Sequence, residues 1–207
     1  MKEIVWVAGV SASGKATFIE KILSHSLPQI EERLGWQGKN IAVCQESLDM
    51  VKESSYAGRD AILERVPELL DENDIVLIKW QFVDSSDNRP IHLKQKLPEA
   101  KHRVIVLEAA KETLLKRLPN KDWWYDHGRE SEYYDTQELA PFKKVLGDLA
   151  KDFVITTINS TNEAYEINQQ TPAPSHESKC PFSYHHFTSP LTQVCSGKPP
   201  QNCTHRG

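Results

Sequence analysis

One stretch near the start of the chain has the residue types and spacing to do chemistry: Gly9-Val10-Ser11-Ala12-Ser13-Gly14-Lys15-Ala16-Thr17. An apolar run, residues 4–8, leads into it. A helical pattern follows, with Phe18, Ile19, Ile22, Leu23 and Leu27 on one face. Glycines at both ends of such a loop let the backbone bend until successive N–H groups point inward and enclose phosphate oxygens. The N-terminus of the following helix adds partial positive charge. Lys15 supplies a movable cation that reaches β- and γ-phosphates. The G-x-x-x-x-G-K spacing between a strand and a helix therefore predicts a triphosphate cage built from Gly9, Ser11, Ala12, Ser13, Gly14, Lys15, Ala16 and Thr17. One residue departs from the usual pattern. Ala16 stands where a Ser or Thr hydroxyl would contact Mg²⁺, so the metal must lean on waters and on carboxylates elsewhere, and its ligands are unassigned. The alternative is that Ala16 marks a lost activity.

The elements that must position this loop read as alternating strands and helices. Runs 4–8, 75–78, 104–107 and 153–156 are β-branched-rich and continuous, as strands buried on both faces are, and 41–44 is a weaker fifth. Between them lie helical patterns. Pro28 is expected to stop the first helix. Ile62, Leu63, Val66, Leu69 and Leu70 mark a second, and Leu114, Leu115 and Leu118 a third. A fourth starts near Pro141 and runs to Leu149. Ser160 with Glu163 suggests a capping box opening a last helix through Ile167. The expected fold class is α/β, a three-layer sandwich with a central five-stranded, mostly parallel sheet.

Composition divides the chain. The net charge is −4, so tight non-specific binding to nucleic acid is not implied. Residues 171–207 hold six of the 12 prolines, four of the eight histidines and three of the four cysteines. They read as a loosely packed or disordered tail behind a domain of residues 1–170. Cys180, His185, His186, Cys195, Cys203 and His205 include enough ligands for zinc, but no cysteine pair has the close spacing of a zinc site. The short apolar run before Gly9 argues against a cleaved signal peptide, and no run is long enough to span a membrane, so a cytoplasmic protein is expected.

Residues 1–170 resemble the P-loop small-molecule and nucleotide kinases, of adenylate-kinase-like and gluconate-kinase-like type. The Gly-Lys-Ala-Thr ending of the loop is similar to their Gly-Lys-Gly-Thr ending. The strand Val104-Ile105-Val106-Leu107, followed by a helical segment ending at Arg117, is similar to theirs. No guanine-reading N/T-K-x-D motif is in place for a signalling GTPase. The third strand continues as Lys79-Trp80-Gln81-Phe82 rather than ending in the acid of a transport-type ATPase. The resemblance implies ATP and Mg²⁺ as cofactors and a mobile lid over residues 119–135. It implies Arg117 beside the nucleotide and Arg129 as a second lid cation, with Lys121 a lesser candidate. It also implies adenine contacts from Asn159 and Thr161 after the last strand. A lid is needed because phosphoryl transfer is mostly positioning and charge neutralisation with water excluded.

The acceptor is expected beyond the carboxyl ends of the strands. In the kinases that the chain resembles, an acid just after the second strand orients or deprotonates the acceptor hydroxyl, a role the resemblance gives to either Glu46 or Asp49. Arg59, Lys79, Gln81 and Asp84 are further substrate-binding candidates. Trp123, Trp124, Tyr125, Tyr133 and Tyr134 crowd the lid, where they either pin it to the core or stack on a base or sugar. Three functions follow as expectations. The first is an ATP-dependent kinase acting on a hydroxyl or phosphate of a small molecule, such as a nucleotide. The second is a kinase of the viral type acting on a hydroxymethylated pyrimidine within DNA, with nucleic acid as the acceptor. The third is a nucleotide-binding module without transfer activity.

Overall fold

Strand β1 (Glu3–Ala8) is buried at all six positions, and its side chains alternate between two separate cores. Ile4, Trp6 and Ala8 face one, Val5 and Val7 the other. A strand read this way must lie in the middle of a sheet covered on both faces. The computed structural model of the chain describes residues 1–45, 47, 56–81, 88–120, 128–161 and 165–171, with backbone alone at 56–60 and 169–171.

The sheet has six strands in the order β2-β3-β1-β4-β5-β6. These are β2 (Ile41–Val43), β3 (Ile75–Lys79), β4 (Lys101–Glu108), β5 (Val154–Asn159) and β6 (Glu166–Thr171). The first five run parallel, and β6 pairs antiparallel with β5. On one face lie α1 (Lys15–Leu23) and α2 (Pro28–Leu34), packing Phe18, Ile19, Ile22 and Ile30 on Val5 and Val7. On the other lie α3 (Tyr56–Glu72), α4 (Arg89–Lys96), α5 (Lys111–Arg117) and α7 (Ala140–Leu149). Their Val66, Leu93, Leu114, Phe142 and Val145 pack on Ile4, Trp6, Val104 and Val106. A short 3₁₀ turn (Leu118–Asn120) ends α5. The short helix α6 (Glu130–Tyr133) leads through a π-helical stretch (Tyr134–Leu139) into α7.

The α/β class, the three layers and the parallel centre agree with the sequence reading. Three expectations need correction. The sheet has six strands, not five. Ser160 does not open a helix through Ile167: its hydroxyl donates to the carbonyls of Ser13 (2.8 Å) and Glu108 (3.0 Å), and the following chain forms β6. The open edge of β5 offers a row of backbone partners, which outweighs a weak local capping signal. The first helix ends at Leu23, before Pro28. Ser24 and His25 turn the chain, His25 at φ 51°, and Pro28 starts α2, where its missing N–H costs nothing. Beyond Thr171, which closes β6, the tail and its zinc candidates lie outside the described residues.

The topology fixes where a ligand fits. The chain leaves β1 for β2 on one side, and later passes from β3 across to β4 on the other. β1 therefore stands at the point where the winding reverses, and the crevice beyond its carboxyl end is the expected binding place. The opposite end is tied by Glu3, which accepts from Arg103 Nε (2.8 Å) and Trp36 Nε1 (2.9 Å), with Lys101 Nζ at 3.4 Å. Arg103 and Glu3 are both almost fully buried.

Candidate nucleotide and phosphoryl-transfer site

Beyond Ala8 the chain turns at Gly9, whose φ is 150°. A Cβ there would lie 2.5 Å from Ser13 Oγ and 2.8 Å from the Leu107 carbonyl of β4, so only glycine fits. The turn is closed by the Ser13 N–H on the Val10 carbonyl (3.2 Å). Ala12 (φ 62°) and Gly14 (φ 90°) take left-handed conformations that fold the backbone into a concave loop. Gly14 is also the N-cap of α1, and no side chain caps that helix. First-turn N–H groups have no carbonyl within their helix to bond, so they are what this loop offers to phosphate.

Lys15 is buried in the loop, its Nζ donating to the carbonyls of Gly9 (2.7 Å) and Val10 (2.9 Å). Ala16 is half-buried and Thr17 is exposed at the start of α1. Arg117, the last residue of α5, lies across the loop. Its Nη1 is 3.5 Å from the Ala12 carbonyl, and its Nη2 is 3.4 and 3.3 Å from the Ser160 and Thr161 carbonyls. These are long, easily surrendered bonds. They hold the guanidinium between the loop at residues 9–17 and the turn after β5.

That turn is itself tied down. Asn159 Oδ1 accepts the Thr161 N–H (2.9 Å), Thr161 Oγ1 accepts the Ala110 N–H (3.0 Å), and the Ser160 hydroxyl holds the Ser13 carbonyl. The polar groups that the sequence reading assigned to adenine are thus brought to the loop, with their side chains engaged in shaping the turn. Tyr165 (φ 48°) is buried behind it, its ring 5.4 Å from that of Phe18.

Beside Ser11 the structure assembles a cluster with no counterpart in a local sequence pattern. Glu138, in the π-helical stretch, is buried against the loop. Its Oε2 accepts the Ser11 N–H (2.9 Å). Its Oε1 accepts the Ser11 hydroxyl (2.6 Å), the Tyr133 hydroxyl (3.0 Å) and Gln81 Nε2 (3.3 Å). Gln81 Nε2 also donates to Ser11 Oγ (2.8 Å). Burial, reinforced by the Glu138 charge, raises the Tyr133 phenol far above its ordinary pKa, so it stays protonated and donating. Burial first, then Asp135, raises Tyr134 as well. Glu138 is 127 residues from Ser11 in sequence. The one local signal at Glu138 is an acid shortly before a helix-starting proline, which reads as a charge favoured by the helix dipole.

The other sequence candidates divide. Gln81 reaches the loop. Lys79 closes β3, its N–H on Ser47 Oγ (3.1 Å). Arg129 is on the surface, paired with Glu132 at 3.0 Å, so its described partner is on its own helix rather than on the loop. Arg59 falls in the backbone of α3, with its side chain outside the described residues. Glu46, Asp49, Asp84, Lys121, Trp123, Trp124 and Tyr125 also lie outside them. Of the lid aromatics that are described, Tyr133 holds Glu138 and Tyr134 packs on the core. Among the described residues no group of acidic, histidine or cysteine side chains is arranged to hold a metal ion. With Ala16 in the loop, these residues offer Mg²⁺ no cage of their own. A cation held by nucleotide phosphates and waters would need no such cage.

No protein-family model matches the chain, and no curated protein matches it. Solved structures do. A chain from the PezAT chromosomal toxin–antitoxin system of Streptococcus pneumoniae aligns over 84% of this chain and 75% of its own, at 14% identity and a TM-score of 0.50. A gluconokinase from Sinorhizobium meliloti aligns over 76% and 82%, at 18% identity and a TM-score of 0.43. A shikimate kinase from Bacteroides thetaiotaomicron aligns over 72% and 80%, at 15% and 0.37. At a TM-score of 0.50 the first of these shares the fold of this chain. At 14% identity that likeness extends to the fold alone. Among the described residues no helix is long and apolar enough to cross a membrane.

Proposed function

We propose that the protein is an ATP-dependent kinase that moves the γ-phosphoryl group to a hydroxyl or phosphate oxygen of a small molecule. The observation that carries this reading is the loop at the carboxyl end of the central strand. It combines a concave backbone opening onto the N-terminus of α1, Lys15 buried within it, and Arg117 laid across it from α5. The acceptor oxygen attacks γ-phosphorus, the bond to the β-bridging oxygen breaks, and ADP leaves with the electron pair. The acceptor proton passes to a carboxylate or to water. Lys15 and Arg117 would neutralise the charge that gathers on the phosphoryl oxygens, and the backbone N–H groups would fix the diphosphate that departs. Asn159 and Thr161 would border the base through the backbone of the turn after β5. Mg²⁺ bound to the phosphates would supply further charge neutralisation. The solved kinases alike in fold are consistent with this chemistry and leave the acceptor open.

A second reading, a nucleotide-binding module without transfer, is favoured by one feature, Ala16 in place of a hydroxyl ligand for magnesium. An ADP-release screen over metabolites, nucleosides and modified oligonucleotides separates the two. A kinase releases ADP in an acceptor-dependent way, and a module binds ATP without doing so. In the same screen Lys15→Ala is expected to fold, by circular dichroism, and to lose acceptor-dependent turnover by at least a hundredfold. A mutant that matches the wild type removes the loop from the chemistry.

A further inference from the structure

Glu138 is a carboxylate seated on a loop whose other features suit it to hold phosphate. It takes both donors of Ser11, the N–H at 2.9 Å and the hydroxyl at 2.6 Å. Two further donors lock it there, Tyr133 from the preceding turn and Gln81 from the end of β3. A carboxylate and a phosphoryl group present the same kind of oxygen to the same kind of donor. The place matters. The N–H groups from Gly14 onward lie at the start of α1, where a diphosphate sits, and Lys15 spans the β- and γ-positions. Ser11 is three residues earlier, on the side where β3 ends. That is where a third phosphate would project, and Glu138 already occupies its donors.

We propose that Glu138 stands in for the γ-phosphate in the nucleotide-free protein, and that its displacement makes the loop discriminate between ATP and ADP. This inference rests on the nucleotide-binding reading above. Two anions cannot share the Ser11 N–H, and in contact they repel. ATP must therefore expel Glu138 before its terminal phosphate can seat, whereas ADP binds without disturbing it.

Two further observations fit. Glu138 is carried by a six-residue π-helical stretch, a geometry usually confined to single turns and found mostly at functional sites. Relaxing it to ordinary i→i+4 turns rotates Glu138 about the helix axis and off the loop. The crevice beside Glu138, lined by Ser11, Leu114, Leu118 and Tyr133 among others, is too tight to admit a water-sized sphere. As it stands it has no room for a small molecule, whose sites usually span ~300–1,000 Å³. Withdrawal of Glu138 and Tyr133 would enlarge it on the acceptor side, coupling arrival of the γ-phosphate to opening of the acceptor site.

The test is calorimetric titration of MgATP and MgADP into the wild type, Glu138→Gln and Tyr133→Phe, with folding checked by circular dichroism. Glu138→Gln keeps the shape and removes the charge. It is expected to tighten ATP at least tenfold while ADP stays within twofold. Tyr133→Phe, which removes one of the bonds holding the carboxylate, is expected to shift the ratio the same way by a smaller factor. A ratio unchanged in Glu138→Gln, or both nucleotides moving together as a purely structural role would give, overturns the inference while leaving the nucleotide site in place. If Glu138→Gln does not fold, the ratio in Tyr133→Phe decides alone, and no change there overturns it. If the wild type binds neither nucleotide, the nucleotide-binding reading fails and takes this inference with it.

Discussion

Gly9→Ala tests whether the loop geometry is what the chain needs at the head of β1. The added Cβ would meet Ser13 Oγ at 2.5 Å and the Leu107 carbonyl at 2.8 Å. Ser13 can rotate, because its buried hydroxyl makes no hydrogen bond. Leu107 cannot yield as easily, since it lies within the β4–β5 ladder opposite Ile158. Overpacking of this kind costs about 1–3 kcal/mol. The backbone at φ 150° adds strain on the order of 1–3 kcal/mol for a residue with a side chain. A loss of roughly 2–6 kcal/mol follows, and a domain of this size loses about 2–4 °C of melting temperature per kcal/mol. The expected drop is thus roughly 4–24 °C by thermal circular dichroism, together with weakened ATP binding. Gly147→Ala is the control: it sits inside α7 with open space around it and no left-handed backbone, so it should stabilise by about 0.5–1 kcal/mol. A Gly9→Ala protein that melts within about 3 °C of the wild type and binds ATP equally well would refute the reasoning about this turn.

Two predictions concern the scaffold. Glu3→Ala leaves Arg103 buried without its carboxylate and removes the acceptor of Trp36 Nε1, so urea unfolding should show a loss of about 3–5 kcal/mol; a loss under about 1 kcal/mol would mean the cluster relaxes or admits water. Burial lowers the pKa of His102, whose Nε2 meets the Leu97 carbonyl at 2.9 Å while its Nδ1 is buried without a partner. Its neutral form therefore stabilises the fold fully above the ordinary histidine pKa of about 6.5. Below that the unfolded chain takes up a proton that the native state refuses, and stability falls until the lowered native pKa is passed. His102→Leu should flatten the stability profile below pH 6.5, and an unchanged slope would show that another group sets it.

Much of this molecule is legible in one dimension because two signals are local. Continuous apolar runs of four or five residues mark strands buried on both faces, and β1, β3, β4 and β5 lie where the runs do. The turn after β1 is legible because nine consecutive residues carry its backbone requirement, and Gly9 and Gly14 adopt the conformations for which glycine is needed. The helix expected through Ile167 was misread for the complementary reason. Whether that segment coils or extends depends on the open edge of β5, which no window of sequence contains. Arg117 was reached through resemblance, and the structure lays it across the loop.

The order of residues alone determined that a strand, an anion-seeking turn and a helix follow one another, because those demands are met by neighbours in the chain. Only the folded molecule decided what faces that turn. Strand order brought Gln81 from the end of β3 to Ser11, and a π-helical stretch carried Glu138 to the same residue from 127 positions away. Such contacts depend on the strand order and on the rotation of a helix about its axis. Both are settled by packing against the rest of the protein, so a local pattern cannot record them.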